Sequence, residues 1–246
     1  SSMGLDFADV DRDGRDDFIV VDMLARAHGK RMTQLVRDYP EPNLRERIDE
    51  QPRYNRNSLF MGRADGSFSE AAFLAGVAAT DWSWCPIFLD VDLDGYEDLL
   101  VSNGFSFDVM DQDSHDQLRQ KRLAPYEQKR SRQWHPQWRT VLAAFRNQRD
   151  GTFLPMAGEW GFSRGSISYG MALGDLDADG DLDLVVNQLN EAPAIYRNDS
   201  PAPRVAVRLK GIGANSQGIG ARIRLVSSEL VQEQEMIAGG RYMSGD

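Results

Sequence analysis

The chain has 246 residues and a formal net charge of −10, with 41% hydrophobic and 27% charged residues. This balance is typical of a soluble globular protein whose core is large enough for one large or two ordinary domains. The excess of acids argues against general nucleic-acid binding, and no apolar run approaches the ~18 residues of a transmembrane helix. The single cysteine, Cys85, excludes an internal disulfide, and we expect it to be buried.

The most informative pattern is an acidic nine-residue loop that occurs three times. It reads D-x-D-x-D-G-x-x-D, begins at Asp9, Asp90 and Asp175, and leads at once into an apolar run. Because carboxylates at positions 1, 3, 5 and 9 of so short a loop converge, a hard cation that takes six to eight oxygens, such as calcium, relieves their repulsion. Fifteen of the 38 Asp and Glu residues lie in these loops, so the acidity is mostly a metal-site signature.

We therefore predict one calcium ion in each loop. The predicted ligands are four carboxylates and the backbone carbonyl of position 7: Asp9, Asp11, Asp13, Arg15 (carbonyl) and Asp17; Asp90, Asp92, Asp94, Tyr96 (carbonyl) and Asp98; Asp175, Asp177, Asp179, Asp181 (carbonyl) and Asp183. These loops are not EF-hands, because position 12 is valine instead of glutamate and the β-branched flanks predict strands. For any single copy, the alternative interpretation is a solvated acidic turn.

Turn signals extend the repeat beyond each loop. Asp65-Gly66 and Asp150-Gly151 lie between short apolar segments and predict β-hairpins, and Ile195-Tyr196 occupies the equivalent place in the third copy. Without insertions the repeat is 51 residues long, which suits one four-stranded blade of a β-propeller. We predict an all-β fold in which residues 1–200 form about three visible blades of a larger propeller.

The first two copies carry insertions at the same point, residues 24–56 and 105–140, which add 30 and 34 residues. We predict that they are partly helical and lie side by side on one face, which is often the binding face of a repeat protein. The second insertion has clustered cations, for which a solvated helix face is the favoured interpretation over a basic patch: Arg119, Lys121, Arg122, Lys129, Arg130 and Arg132. Trp134 and Trp138 either stack on a sugar or, as we favour, anchor the insertion to the propeller.

The pattern changes after residue 203. Apolar residues alternate with polar ones over residues 205–209 and again over 221–225, and the glycine-rich segment 211–220 lies between them. A dinucleotide-binding loop would have to open a helix, whereas this segment opens a strand. We predict a β-hairpin with a long glycine-rich turn, belonging to a small β domain over residues 201–246.

These motifs resemble the FG-GAP/VCBS repeat family, the calcium-loop propeller repeat also found in integrin α chains. The tail segments 209–215, 218–222 and 239–242 resemble the start of an ASPIC/UnbV domain, and the combination is similar to secreted bacterial proteins and the cartilage acidic protein group. The chain departs from the family in lacking a Phe-Gly or Gly-Ala-Pro pair before the loops. The resemblance implies a secreted, periplasmic or cell-surface protein. Because the sequence opens inside a repeat, we expect a signal peptide and the natural N-terminus to precede it.

The resemblance implies a non-catalytic module for adhesion or for carbohydrate or protein recognition, with a glycan or protein partner at the insertion face. The residues give no catalytic constellation, and we expect His28, His115 and His135 to be surface residues. Two alternatives stay open. One is a polysaccharide lyase or hydrolase with its site on the insertion face, which an acid pair facing a groove would favour. The other is a structural subunit of a cell-surface assembly that self-associates through the insertions.

Overall fold

The computed structural model describes residues 2–34, 55–121, 123, 127, 130–227 and 231–239. This part of the chain is mostly β and forms four antiparallel sheets. The all-β, propeller-like fold predicted from the sequence is confirmed. None of the helices among the described residues is long and apolar enough to cross a lipid bilayer.

The strands follow the predicted repeat. In chain order they are β1 (Gly4–Ala8), β2 (Asp17–Val21), β3 (Met23–Leu24), β4 (Ser58–Gly62), β5 (Phe68–Glu70), β6 (Asp81–Leu89), β7 (Asp98–Asn103), β8 (Ala143–Asn147), β9 (Phe153–Pro155), β10 (Ser168–Gly174), β11 (Asp183–Gln188), β12 (Ala194–Tyr196), β13 (Arg222–Val226) and β14 (Val231–Glu235). The apolar run after each acidic loop is a strand, as its β-branched composition predicts.

Three of the sheets are successive blades. Blade one is β1-β2-β4-β5, blade two is β6-β7-β8-β9 with β3 added beside β6, and blade three is β10-β11-β12. The acidic loop joins the first two strands of every blade. The hairpins predicted at Asp65-Gly66 and Asp150-Gly151 are confirmed, because β4 pairs with β5 and β8 with β9 across them.

The blades stack through their sheet faces, and two apolar cores lie between them. Successive side chains of a strand point to opposite faces, so Leu99 packs toward blade one while its neighbour Leu100 packs toward blade three. Ile19 and Leu184 supply the matching side chains from blades one and three. Cys85 is fully buried in the second core, as predicted.

The two insertions begin where β2 and β7 end, at the strand ends opposite the acidic loops. We call these two ends the insertion face and the loop face. The described parts of the insertions contain helix α1 (His28–Thr33), helix α2 (Gln112–Gln120) and a 3-10 turn (Ser131–Trp134); residues 35–54 lie outside the described residues. The prediction that the insertions lie side by side is confirmed for the described residues, because Gln34 forms a β-bridge with Asp111 and Lys30 Nζ lies 2.9 Å from the Asp111 carboxylate.

The tail differs from the prediction. Residues 221–225 contribute to a strand, β13, as expected, but β13 pairs with β14, and residues 205–209 form no strand. The predicted hairpin across the glycine-rich segment is therefore wrong. The connection from β13 to β14 is much shorter than that segment, so its closure costs less conformational entropy. The predicted domain boundary at residue 201 stays a prediction, and residues 240–246 lie outside the described residues.

Candidate metal centres

The three acidic loops, named loop 1 (residues 9–17), loop 2 (90–98) and loop 3 (175–183), share one hydrogen-bond pattern. In each, the position 1 carboxylate accepts hydrogen bonds from the backbone N–H groups of positions 5 and 6. The N···O distances are 3.0 Å at Asp9, 2.8–2.9 Å at Asp90 and 3.1 Å at Asp175. The glycine at position 6 has a positive φ in all three loops, which a residue without a side chain adopts at little cost. The same sequence pattern therefore folds into the same turn three times.

The carboxylate at position 9 ties each loop to the third strand of its own blade or, in blade three, to the segment just after that strand. Asp98 Oδ2 accepts from Val91 N at 3.0 Å, and Asp98 Oδ1 accepts from Asn147 N at 2.8 Å. Asp17 accepts the two equivalent hydrogen bonds at 2.9 and 2.7 Å. Asp183 accepts them at 2.8 and 2.9 Å. Sequence reasoning assigned these residues only a ligand role. The hydrogen bond to the third-strand side of the blade was not predicted, because the backbone N–H that donates it lies 15 to 49 residues away in the sequence.

The loops bring carboxylate oxygens together. One oxygen from each of three residues lies within 4.8 Å of the others in every loop; the groups are Asp9, Asp11 and Asp13; Asp90, Asp92 and Asp94; and Asp175, Asp177 and Asp183. Two oxygens that bind one calcium ion at about 2.3–2.6 Å lie at most about 5 Å apart. The oxygen-only donor set and its spacing therefore fit a hard cation.

The other predicted ligands lie beside these groups. Asp17 and Asp98 fall outside the first two groups, and Asp179 lies 3.7 Å from Arg204 Nη2. At position 7, the backbone N–H groups donate to the position 5 carboxylates over 3.0–3.1 Å; the residues are Arg15, Tyr96 and Asp181. This turn holds position 7 against the loop. The complete ligand sets remain predictions.

Burial disfavours the ionised form of several loop carboxylates when no cation is bound. Desolvation raises the pKa of Asp17 and of Asp90 to about 6 and that of Asp98 to about 8, despite the hydrogen bonds that these carboxylates accept. Neighbouring loop carboxylates raise the pKa values of these three groups further. A divalent cation would favour their charged forms, so cation binding and deprotonation are coupled.

Arginine side chains offset part of the charge on loop 2. Arg146 Nε lies 2.9 Å from Asp92 Oδ2, and Arg149 Nη2 lies 2.7 Å from Asp94 Oδ2. Arg12 of loop 1 reaches across to loop 2, where its Nε donates to Gly95 O at 2.6 Å.

Asparagines link the loops in series. Asn147 Nδ2 donates to Val10 O of loop 1, and Asn198 Nδ2 donates to Val91 O of loop 2, both at 2.9 Å. Asn147 ends β8 of blade two, and Asn198 follows β12 of blade three, so blade two is fastened to loop 1 and blade three to loop 2. The loops therefore form one connected layer on the loop face.

The insertion face has a different chemistry. Trp82 and Phe105 stack with ring centroids 4.2 Å apart, and Trp138 packs edge-on against Trp82 with 8% of its surface exposed. Trp138 thus anchors the insertion, as predicted. Within the described part of the chain the same prediction for Trp134 is wrong, because Trp134 is 46% exposed and its ring has Lys121 Nζ above it, 5.3 Å from the centroid.

The cations of the second insertion match the favoured interpretation where the structure describes them. Arg119, Lys121, Arg130 and Arg132 are exposed. Arg122 and Lys129 lie outside the described residues. The exposed ring of Trp134 lies among these solvated cations in the sequence, and it forms an aromatic feature of the second insertion that is open to solvent.

The histidine prediction needs a correction. His28 is exposed, but His135 is buried, and its ring centroid lies 4.8 Å from that of His115. Desolvation lowers the pKa of His135, and the nearby His115 lowers it further. Nineteen residues separate the two histidines in the sequence, so no local pattern predicted this contact, which the fold of the insertion creates.

One comparison with known proteins agrees with the geometry of loop 3. Residues 136–186 match the model of the FG-GAP-like repeat family. This segment begins before β8 and ends within β11, so it includes the whole of loop 3. A search of curated proteins finds no match to the chain. FG-GAP repeats often bind calcium. The chain therefore contains an FG-GAP-like repeat at residues 136–186.

Proposed function

We propose that this chain is a calcium-binding, non-catalytic β-propeller module that recognises a glycan or a protein partner. The observation that carries the proposal is the threefold repetition of one loop geometry, in which three carboxylate oxygens lie within 4.8 Å of one another. A single acidic turn has a simple explanation as a solvated loop. Three turns with the same hydrogen bonds, one of them inside a matched FG-GAP-like repeat, favour a shared ligand.

The proposed role of calcium is structural. Each ion would be held by the carboxylates at positions 1, 3, 5 and 9 and by the carbonyl at position 7 of its loop. When bound, calcium supplies the positive charge that the converging carboxylates need. Asp98 then keeps loop 2 joined to Asn147 while it is ionised. Because the side chain of Asn147 also donates to Val10 O of loop 1, calcium binding would in this way stabilise the contact between blades one and two.

The proposed recognition surface is the insertion face. The blade cores repeat closely, so differences between blades are concentrated in the two insertions. The described parts of the insertions form a joint surface through Lys30 and Asp111. On the second insertion, Trp134 offers an exposed ring beside Lys121. An aromatic ring beside cations suits a sugar ring that carries a negative charge, and it also suits an acidic protein surface.

The cellular setting belongs to the same proposal. Millimolar calcium outside cells suits sites of moderate affinity, so we propose a secreted, periplasmic or cell-surface location. We further propose that residues 201–246 begin an ASPIC/UnbV-like domain, on the strength of the glycine-rich tail segments.

A binding screen with and without calcium tests this function. We expect the protein to bind an anionic glycan or a protein partner in calcium, and Trp134→Ala to weaken that binding by about tenfold or more. The matched control is Phe73→Ala, which removes another exposed ring, in the segment between β5 and β6 and outside both insertions. Equal binding by the two variants would contradict the assignment of recognition to the insertion face.

A further inference from the structure

At the interface between blades one and two, the fourth strand of blade two covers the outer side of the apolar core. The fourth strand of blade two, β9, pairs with β8, and its first residue, Phe153, is buried among Val10, Val77 and other apolar residues. Phe153 N also donates to Ala75 O at 2.9 Å. An aromatic side chain on an extended strand therefore seals this interface.

The interface between blades two and three has the same turn. Phe162 N donates to Ala157 O at 2.7 Å, as Val77 N donates to Ala72 O at 2.9 Å. Gly161 has a φ of 81°, close to the 79° of Gly76. The two turns therefore correspond residue by residue, and Trp160 takes the place of Ala75.

Blade three has no fourth strand within the described residues, and the outer edge of β12 is left without a strand partner there. Beside this edge lies a cavity of about 630 Å³. Five apolar residues of its lining occupy the repeat positions of residues in the interface between blades one and two. The corresponding pairs are Val91 and Val10, Leu100 and Ile19, Trp160 and Ala75, Leu184 and Leu99, and Tyr196 and Phe145. The cavity thus lies where a phenylalanine on a fourth strand would be expected.

The described segment that follows Asn198 does not fill the cavity. Phe153 follows Asn147 by six residues, and the residue six positions after Asn198 is Arg204. Arg204 forms an ion pair with Asp181 of loop 3. Val205 and Val207, which follow it, are 69% and 53% exposed. A charged residue at the sealing position explains why this segment does not add to blade three as a fourth strand.

We propose that the outer edge of β12 and this cavity bind an extended peptide segment of another protein, which adds as a fourth strand and inserts an aromatic side chain. Strand addition to a free sheet edge derives affinity from backbone hydrogen bonds and specificity from a side-chain pocket. The cavity volume falls within the roughly 300–1,000 Å³ of ligand sites. The site is separate from the insertion face and does not depend on the function proposed for it.

A peptide titration tests the proposal directly. The probe is a synthetic peptide with the sequence of residues 150–157, which contains β9, and its control carries Phe153→Ala. In saturating calcium we expect the control peptide to bind about tenfold or more weakly. We also expect the amide resonances of Tyr196 and Asn198 to shift. Equal binding of both peptides, or equal binding of N-acetylphenylalanine amide, would overturn the proposal.

A pair of variants tests the same site from within the chain. Arg204→Phe places the sealing side chain on the neighbouring segment, so we expect it to weaken binding of the 150–157 peptide by about tenfold or more. Arg204→Ala removes the ion pair with Asp181 and leaves the cavity open, so it should retain binding. Equal peptide affinities for the two variants would contradict the proposal. Self-association of the parent that Arg204→Phe abolishes would identify a second copy as the occupant and overturn the assignment to another protein.

Discussion

The loop face and the insertion face lie at opposite ends of the same strands, and they are built in opposite ways. On the loop face, the position 9 carboxylates Asp17, Asp98 and Asp183 repeat the same two backbone hydrogen bonds in every blade. On the insertion face, each blade carries a different connection, and blade three carries no insertion. The comparison suggests that one end of the blades supports stability through repeated charge chemistry, while the other end is free to acquire a binding surface.

The largest effect should come from removing calcium. An ion bound at a hundredfold excess over its Kd adds about 2.7 kcal/mol per site to the free energy of unfolding. We expect excess chelator to lower the melting temperature strongly, and Asp94→Ala to reproduce part of that loss. Thermal unfolding followed by circular dichroism measures both. An unchanged melting curve in chelator would show that the loop face does not depend on calcium.

The second effect separates the two tryptophans of the insertion face. Trp138 is buried in the aromatic cluster, so Trp138→Ala should lower the free energy of unfolding by about 3–5 kcal/mol. Trp134→Ala should change it by no more than about 0.5 kcal/mol, because Trp134 is exposed. Urea unfolding in calcium compares them. A similar loss for both variants would mean that the whole insertion face serves stability.

The third effect tests the link between loop 2 and its third strand. In Asp98→Asn, one acceptor oxygen becomes an amide nitrogen, so either Val91 N or Asn147 N loses its acceptor. We expect a loss of about 1.5–3 kcal/mol in the free energy of unfolding. The control, Asp113→Asn, lies exposed on the insertion face and should stay within about 0.5 kcal/mol. A negligible change at Asp98 would mean that the paired hydrogen bonds do not stabilise the blade.

The fourth effect is a pH dependence of the calcium-free protein. Burial raises the pKa of Asp90 to about 6 and that of Asp98 to about 8. Because these folded-state values exceed the ordinary ones, the protonated groups stabilise the fold fully below about pH 4. That stability is lost as the pH rises through about 6 to 8. Melting temperatures in chelator should therefore fall from pH 5 to pH 8.5.

Calcium should cancel this dependence, because the ion binds the deprotonated carboxylates. Its affinity should rise over the same pH range. A melting temperature in chelator that rises steadily from pH 5 to pH 8.5 would contradict the role of these buried carboxyls.

Local patterns in the sequence predicted the loops, the strands that follow them and the two Asp-Gly hairpins, because turn residues and alternation act over a few positions. Contacts between distant segments could not be predicted in this way. The hydrogen bond from Asn147 to Asp98 and the packing of His135 against His115 depend on the assembled blades. The strand expected over residues 205–209 failed for a related reason: alternation favours a strand, but it does not supply a partner edge.

The count of bound calcium ions tests the central claim most directly. Native mass spectrometry of the full chain, after equilibration with calcium and removal of free ions, should give three ions per chain. Asp11→Ala, Asp92→Ala and Asp177→Ala should each remove one ion and leave the other two. A parent protein that retains no calcium, or variants that all keep the parent's count, would contradict the assignment of one calcium site to each acidic loop.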